Sequence, residues 1–262
     1  MSSPRTGRSG CRSNLAVEII AHRGASHDAP ENTLAAIKLA WDQNADAVEI
    51  DVQSSKNNRI VVIHDETTKR TGGLNRRISG QTLTELRRLD VGKWKGRQWI
   101  GERIPTLEEV LETIPKSKRL FVEIKCGAES IPTLKDIIQH SGKGPEQVVL
   151  IGFSLPTMKL IKAVSPELEV CWVIQFKRSW KTGRWSPQPE ELIARVKESR
   201  LNGVDLGVRG PLTADFVSQV HAAGLKVYVW TVDSPVKAQK LAAAGVDGIT
   251  TNRPGWLRDK LE

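Results

Sequence analysis

The sequence predicts an α/β fold in which eight parallel strands close into a (β/α)8 barrel, with a small insertion after the second strand and its hairpin return. Three observations carry this expectation. From Val17 onward, short β-branched runs alternate with helical patterns, the beat of right-handed βαβ crossovers. Discounting one hairpin return, the strands number eight. The first strand runs into His22-Arg23-Gly24, not into the Gly-rich phosphate turn that an open doubly wound sheet would want.

The elements follow in order. Val17–His22 reads as a strand, and Glu31–Gln43 as a helix with Leu34, Ile37, Lys38 and Trp41 spaced three to four apart. Ala47–Gln53 is the second strand, Asn57-Asn58 a turn, and Ile60–His64 the hairpin return. Residues 66–104 break the beat and are too long for an ordinary loop, so they are expected to form a functional insertion or lid. Thr106–Ile114 is helical, opened by Pro105 and Thr106. Leu120–Lys125, Val148–Phe153, Glu169–Ile174, Gly203–Gly207, Lys226–Thr231 and Gly248–Thr251 complete the strands. Between them lie helical stretches such as Pro189–Ser199, Thr213–Ala223 and Pro235–Ala244.

Composition narrows the class. Hydrophobic content of 39% and charged content of 26% exclude whole-chain disorder. No stretch approaches the ~20 apolar residues of a membrane span. Residues 1–16 are Ser/Arg/Gly-rich without an apolar core and are expected to form a flexible basic tail on a single catalytic domain, residues 17–262. Three cysteines without paired spacing argue against a disulfide framework and for the cytoplasm. The net charge of +9 is uneven: residues 66–104 hold ten Lys and Arg against four acids. Such a segment fits a nucleic-acid face, an anionic-lipid contact, a field for a small anionic substrate, or a solvated surface.

Chemistry collects at the strand ends, where a barrel of this kind places its site. The first strand ends in His22-Arg23, and the hairpin return in His64-Asp65. The second strand carries Glu49 and Asp51, and the third carries Glu123 and Lys125; period two puts each pair on one face. Three inward carboxylates cost several kcal/mol each in desolvation, on the order expected for unpaired buried charge. A hard divalent cation, Mg²⁺ or Ca²⁺, on Glu49, Asp51 and Glu123 offsets that; zinc would want softer ligands. The alternative is an internal salt-bridge network of Glu49 or Asp51 with Arg23 or Lys125. His22 and His64 suit shared acid and base duty. Arg23 and Lys125 supply fixed positive charge for a phosphate. Phosphodiester hydrolysis is the reaction this set fits.

With these residues in place, the chain resembles the glycerophosphodiester phosphodiesterase family from about Ile19 to Pro254. The resemblance rests on His22-Arg23-Gly24, Pro30-Glu31-Asn32-Thr33, Glu49-Ile50-Asp51-Val52, Val62-Ile63-His64-Asp65, Arg70-Thr71-Gly72, Pro105-Thr106-Leu107-Glu108-Glu109, Glu123-Ile124-Lys125, Val229-Trp230-Thr231-Val232 and Gly245-Val246-Asp247-Gly248. It implies a TIM barrel, a divalent metal on Glu49, Asp51 and Glu123, His22 and His64 as the acid–base pair, and Arg23 and Lys125 on the phosphate. Trp230 is expected to contact the substrate, a small glycerophosphodiester; no nucleic-acid partner is expected. Lys177–Pro187, with Trp180 and Trp185 among four cations, looks particular to this chain and reads equally as a substrate-contacting or an exposed variable loop. Two other functions compete: a phospholipase-D-like lyase forming a cyclic phosphate, and a non-catalytic module binding nucleic acid or anionic lipid.

Overall fold

Parallel strands buried on both faces read as continuous apolar runs, and those runs here wrap into a closed sheet. The computed structural model describes residues 17–262; the basic tail expected over 1–16 lies outside the described residues. The first part of the chain runs β1 (Glu18–His22), α1 (Leu34–Asp42), β2 (Ala47–Ser54), β3 (Ile60–Val62), α2 (Lys69–Gly72), α3 (Leu83–Leu86) and α4 (Leu107–Thr113). It continues through β4 (Arg119–Ile124), α5 (Ile131–His140), β5 (Val148–Gly152), α6 (Leu155–Val164), β6 (Glu169–Ile174), β7 (Lys177–Arg178) and β8 (Trp185–Ser186). The last part is α7 (Pro189–Glu198), β9 (Gly203–Gly207), α8 (Ala214–Ala222), β10 (Lys226–Trp230), α9 (Pro235–Ala243), β11 (Gly248–Thr251) and α10 (Pro254–Leu261).

Around the barrel the parallel order is β1-β11-β10-β9-β6-β5-β4-β2, and pairing of β1 with β2 closes it. β3 adds to β2 antiparallel, with Val52 opposite Val62. Eight parallel strands with helices between them make this a TIM barrel, as the alternating pattern predicts. Two registers matter for the site: His22 lies beside Glu49, and Asp51 beside Glu123.

The core has three parts. Helices and outward strand residues such as Ile37, Val48, Val122, Leu192 and Val227 form the main layer. Ile20, Phe121, Val149, Ile151, Cys171, Val173 and Tyr228 fill the barrel interior. Gly248 makes that filling possible, because a Cβ there would stand 2.8 Å from the Tyr228 ring. At the N-terminal strand ends, Arg119 pairs with Glu18 at 2.9 Å and Glu169 at 2.7 Å, and the Tyr228 hydroxyl donates to Glu169. This ionic floor leaves the opposite end free for chemistry.

Residues 66–104 have a small core of their own, in which Ile78, Leu86, Leu89, Val91 and Ile104 pack on Val61 and Ile63. Thr82 and Glu85 close a reciprocal capping box on α3. Helix α1 begins three residues later than its pattern suggests. Asn32 takes φ 59°, and the Thr33 hydroxyl caps the helix by accepting from Ala36 N–H. Its buried face is Ala36, Ile37 and Ala40, with Lys38 exposed. The stretch 177–187 is a two-stranded hairpin, β7 with β8, whose Trp180 is 89% exposed.

Candidate active site

The C-terminal strand ends gather His22, Arg23, Glu49, His64, Glu123, Lys125, Ile151, Phe153, Val173, Asp205, Trp230 and Thr250 around a cavity of about 100 Å³. Asp51, fully buried, lies just behind it, paired with Arg23 and Lys125. Every residue expected from the sequence to serve the site is therefore here. None of the cavity lining comes from 66–104. That segment reaches the site region through Arg70, which binds Glu31 and Asp65, and through Lys95, which donates to the Ser26 carbonyl.

The β1–α1 turn is shaped by Gly24. At φ 81°, a Cβ on it would stand 2.5 Å from the Ala36 carbonyl carbon, so only glycine lets the turn lie on α1. The preceding residue, Arg23, also takes a left-handed conformation, φ 57°. Its backbone N–H donates to Glu49 at 3.0 Å, its Nη1 donates to Glu31 at 2.8 Å, and its Nε lies 3.1 Å from Asp51. Asn32 exchanges hydrogen bonds with Asp51, donating to its carboxylate and accepting from its N–H.

Oxygens of Glu49, Asp51 and Glu123 lie within 4.8 Å of one another. Lys125 Nζ stands 2.7 Å from Glu123 and 3.1 Å from Asp51. The internal ion pairs are thus real, and they hold both oxygens of Asp51, but they leave one group short. Glu49 has only the Arg23 amide and, at 4.0 Å, the His22 ring. Burial, then the negative charge of Asp51 and Glu123, hold the Glu49 carboxyl well above its ordinary value. Burial and Asp51 likewise raise Glu123, against the pull of Lys125. Burial also acts to raise Asp51, but Arg23 and Lys125 outweigh it and keep Asp51 low. An all-oxygen donor set of three clustered carboxylates, one of them buried without an ion pair to Arg or Lys, fits a hard divalent cation.

Both cavity histidines are anchored through Nδ1 and make no hydrogen bond through Nε2 among the described residues; His22 Nε2 lies 4.0 Å from Glu49. His22 Nδ1 lies 2.7 Å from Asn252 Oδ1. Asn252 is itself oriented by donating to Asp233 and by accepting from the Ser26 hydroxyl. Because Asn252 presents an oxygen, His22 carries its proton on Nδ1. Burial, then the Arg23 charge, lower the His22 pKa. His64 sits just beyond β3, on a loop whose carbonyls at Ile63, His64 and Asp65 all accept from Gln53 Nε2. Its Nδ1 lies 2.7 Å from Asp65, which Arg70 also grips.

Hydrogen bonds from Arg70 dominate Asp65, whose pKa falls to about 2. A carboxylate depressed in the folded state stabilises above its unfolded pKa and loses that contribution as pH falls through the folded value. Asp65→Asn should therefore destabilise the protein by about 1–2 kcal/mol at neutral pH, discounting for partial exposure. Urea titrations should show the difference shrinking below about pH 4 and gone near pH 2.

Asp205, Asn252, Asp233, Gln53 and Asn32 had no assigned role in the sequence reading. Trp230, which did, donates from Nε1 to the Asp205 carbonyl and meets Phe153 edge to face. Phe153 and Val173 also border an adjoining cavity of about 350 Å³ that includes Lys177, Ser186 and Pro187 from the hairpin.

Taken with the fold, this cluster defines a barrel enzyme acting on phosphate esters. The model of the Glycerophosphoryl diester phosphodiesterase family matches residues 22–256, and the chain belongs to that family of phosphoric diester hydrolases. The Bacillus subtilis protein YhdW is 34% identical over 243 residues, covering 91% of this chain and 96% of its own. A glycerophosphodiester phosphodiesterase from Caldanaerobacter subterraneus is 33% identical over 243 residues, covering 91% of this chain and 95% of its own. An Oleispira antarctica phosphodiesterase, solved in complex with the product sn-glycerol-3-phosphate, is similar in structure with a TM-score of 0.81. It is 28% identical, and the match covers 93% of this chain and 96% of that one.

Proposed function

We propose that the chain hydrolyses glycerophosphodiesters to glycerol 3-phosphate and an alcohol. His22 and His64 are its acid–base pair, Arg23 and Lys125 hold the phosphate, and Glu49, Asp51 and Glu123 hold Mg²⁺ or Ca²⁺. The observation that carries this reading is one small cavity lined by two free imidazole edges, two cations and the carboxylate cluster. When bound, the cation supplies Lewis-acid stabilisation of charge on phosphoryl oxygen.

The residues divide the remaining work. Arg23 and Lys125 neutralise and orient the anionic diester, with Trp230 and Phe153 as an apolar wall. His22, its Nδ1 proton held by neutral Asn252, offers an Nε2 lone pair and takes the proton of the attacking oxygen. His64 is backed by Asp65, whose carboxylate lies 2.7 Å from Nδ1 and fixes the ring. It gives the Nε2 proton to the departing alcohol as the new P–O bond forms and the old one breaks. The attacking oxygen comes from water directly, or from the glycerol hydroxyl beside the phosphate, in which case the alcohol departs from a cyclic phosphate that water then opens to glycerol 3-phosphate. The adjoining cavity leaves room for the alcohol.

We read 17–262 as one catalytic domain, in a reducing compartment in keeping with the unpaired Cys126 and Cys171. Among the described residues no helix is long and apolar enough to cross a membrane.

A panel of glycerophosphodiesters assayed for both products tests the reading. Glycerol 3-phosphate and free alcohol are expected in equal amounts. A cyclic phosphate accumulating as the end product would favour the lyase instead, and no release from any substrate would contradict both. A diester lacking the hydroxyl beside the phosphate should react slowly if that hydroxyl attacks first.

The basic segment acts in this account as a long-range field. Arg87 is engaged with Glu109, and Arg87 and Arg88 border a separate cavity without any active-site residue. Raising salt from 0.1 M to 1 M shortens the Debye length from ~10 Å to ~3 Å. It should lower kcat/KM more for anionic glycerophosphoglycerol than for zwitterionic glycerophosphocholine. Neutralising Arg76, Arg77 and Arg88 together should flatten the difference. Identical salt responses in the unaltered protein would remove the steering role.

A further inference from the structure

We infer that Asp205 is a recognition residue for a glycerol hydroxyl, so that the β9 wall of the cavity is a polyol subsite. The inference rests on the proposed diesterase reading and adds to it the group that selects the substrate's alcohol backbone.

Asp205 lies mid-strand in β9, in the run Gly203-Val204-Asp205-Leu206-Gly207, with Val173 of β6 and Tyr228 of β10 as its register partners. A carboxyl among such neighbours is costly unless something binds it. Asp205 is only 4% exposed, and it lines the same cavity as His22, His64 and Lys125. Its Oδ1 has no hydrogen-bond partner among the described residues. Arg23 and Lys125, the cavity's cations, pair with Asp51, Glu31 and Glu123 and not with Asp205, which forms no ion pair among the described residues. The carboxyl is therefore a buried polar group in the cavity wall without a hydrogen-bond or ion-pair partner among the described residues.

Its chemistry selects the ligand. Burial, then the negative charge of Glu123, push the pKa of Asp205 up to about 8. In either protonation state a carboxyl can accept a hydrogen bond from an alcohol hydroxyl. A phosphoryl oxygen belongs with the two cations, whereas a hydroxyl, which can donate, suits a buried carboxyl. Beside it, Trp230 packs against Phe153 and donates to the Asp205 carbonyl, so the strand and the aromatic wall are fixed relative to each other. A site built to bond a hydroxyl discriminates strongly against the analogue lacking it, because the buried group is then left unpaired.

The test compares glycerophosphocholine with its two monodeoxy analogues, one lacking the terminal hydroxyl and one lacking the hydroxyl beside the phosphate. The proteins are the unaltered chain, Asp205→Ala and Asp205→Asn, each with Mg²⁺ or Ca²⁺ added. The unaltered chain should prefer the full diol over at least one analogue by tenfold or more in kcat/KM. Asp205→Ala should erase that preference, chiefly through KM, while turnover of the disfavoured analogue changes less than threefold. Asp205→Asn, which still donates and accepts, should keep part of the preference. A uniform fall on all three substrates, or no change in any, overturns the role of Asp205. Failure of the unaltered chain to cleave glycerophosphocholine at all would instead count against the diesterase reading. Thermal melts of the three proteins separate either result from misfolding.

Discussion

Glu49→Gln, Asp51→Asn and Glu123→Gln should each lower kcat/KM by on the order of 10³-fold or more while the barrel stays folded, the scale expected when charge stabilisation in a transition state is removed. The three side chains offer oxygens within 4.8 Å of one another, from adjacent strands whose register brings Asp51 beside Glu123. Removing one ligand weakens cation binding, which calorimetry reads independently of turnover. The metal-free proteins supply a second readout. Burial and two neighbouring carboxylates raise the Glu49 pKa, so at neutral pH an ionised Glu49 works against folding. Metal-free Glu49→Gln should accordingly melt at a higher temperature than the unaltered chain. Asp51 is held by Arg23, Lys125 and Asn32, and its replacement by Asn should melt lower. Opposite signs for neighbouring carboxylates are hard to obtain from a cluster that is only structural. Full activity in all three variants would overturn the metal assignment.

His22→Ala and His64→Ala should each cut kcat by ~10²–10⁴, the usual worth of a positioned acid or base. The two rings reach the cavity from different elements, the end of β1 and the loop after β3, and each is locked through Nδ1. His27 is the internal control. It lies five residues from His22, pairs with Asp28 at the surface and is absent from the cavity lining, so His27→Ala should be nearly silent. A loss at His27 equal to that at His22 would show that the wrong imidazole has been named.

Some of this was legible in the amino-acid order and some was not, for physical reasons. His22, Glu49, Asp51 and Glu123 are polar residues at inward positions of apolar strands, a pattern whose cost demands an explanation. Strand count and alternation were enough for the barrel, since right-handed crossovers leave few other arrangements. The helix start at Leu34 was not legible from spacing, because the left-handed Asn32 and the Thr33 cap set it. The support of His22 was also hidden: Asn252 is 230 positions away and meets it only because β11 closes the barrel against β1. Asp205 did leave a signal, a lone acid within a five-residue buried strand. Without closure, nothing told which cavity it entered. The ion pairs of Arg23 and Lys125 were foreseen as an alternative to a cation. The structure contains them, and they still leave Glu49 without an ion pair to Arg or Lys.

The most direct test follows glycerophosphocholine by ³¹P NMR in the presence of the full-length protein. Samples contain excess chelator, or chelated protein restored with Mg²⁺ or with Ca²⁺. Loss of the diester resonance and growth of glycerol 3-phosphate are expected in the restored samples, with neither change under chelator. Equal turnover with and without chelator, or an unchanged diester under every condition, would contradict it.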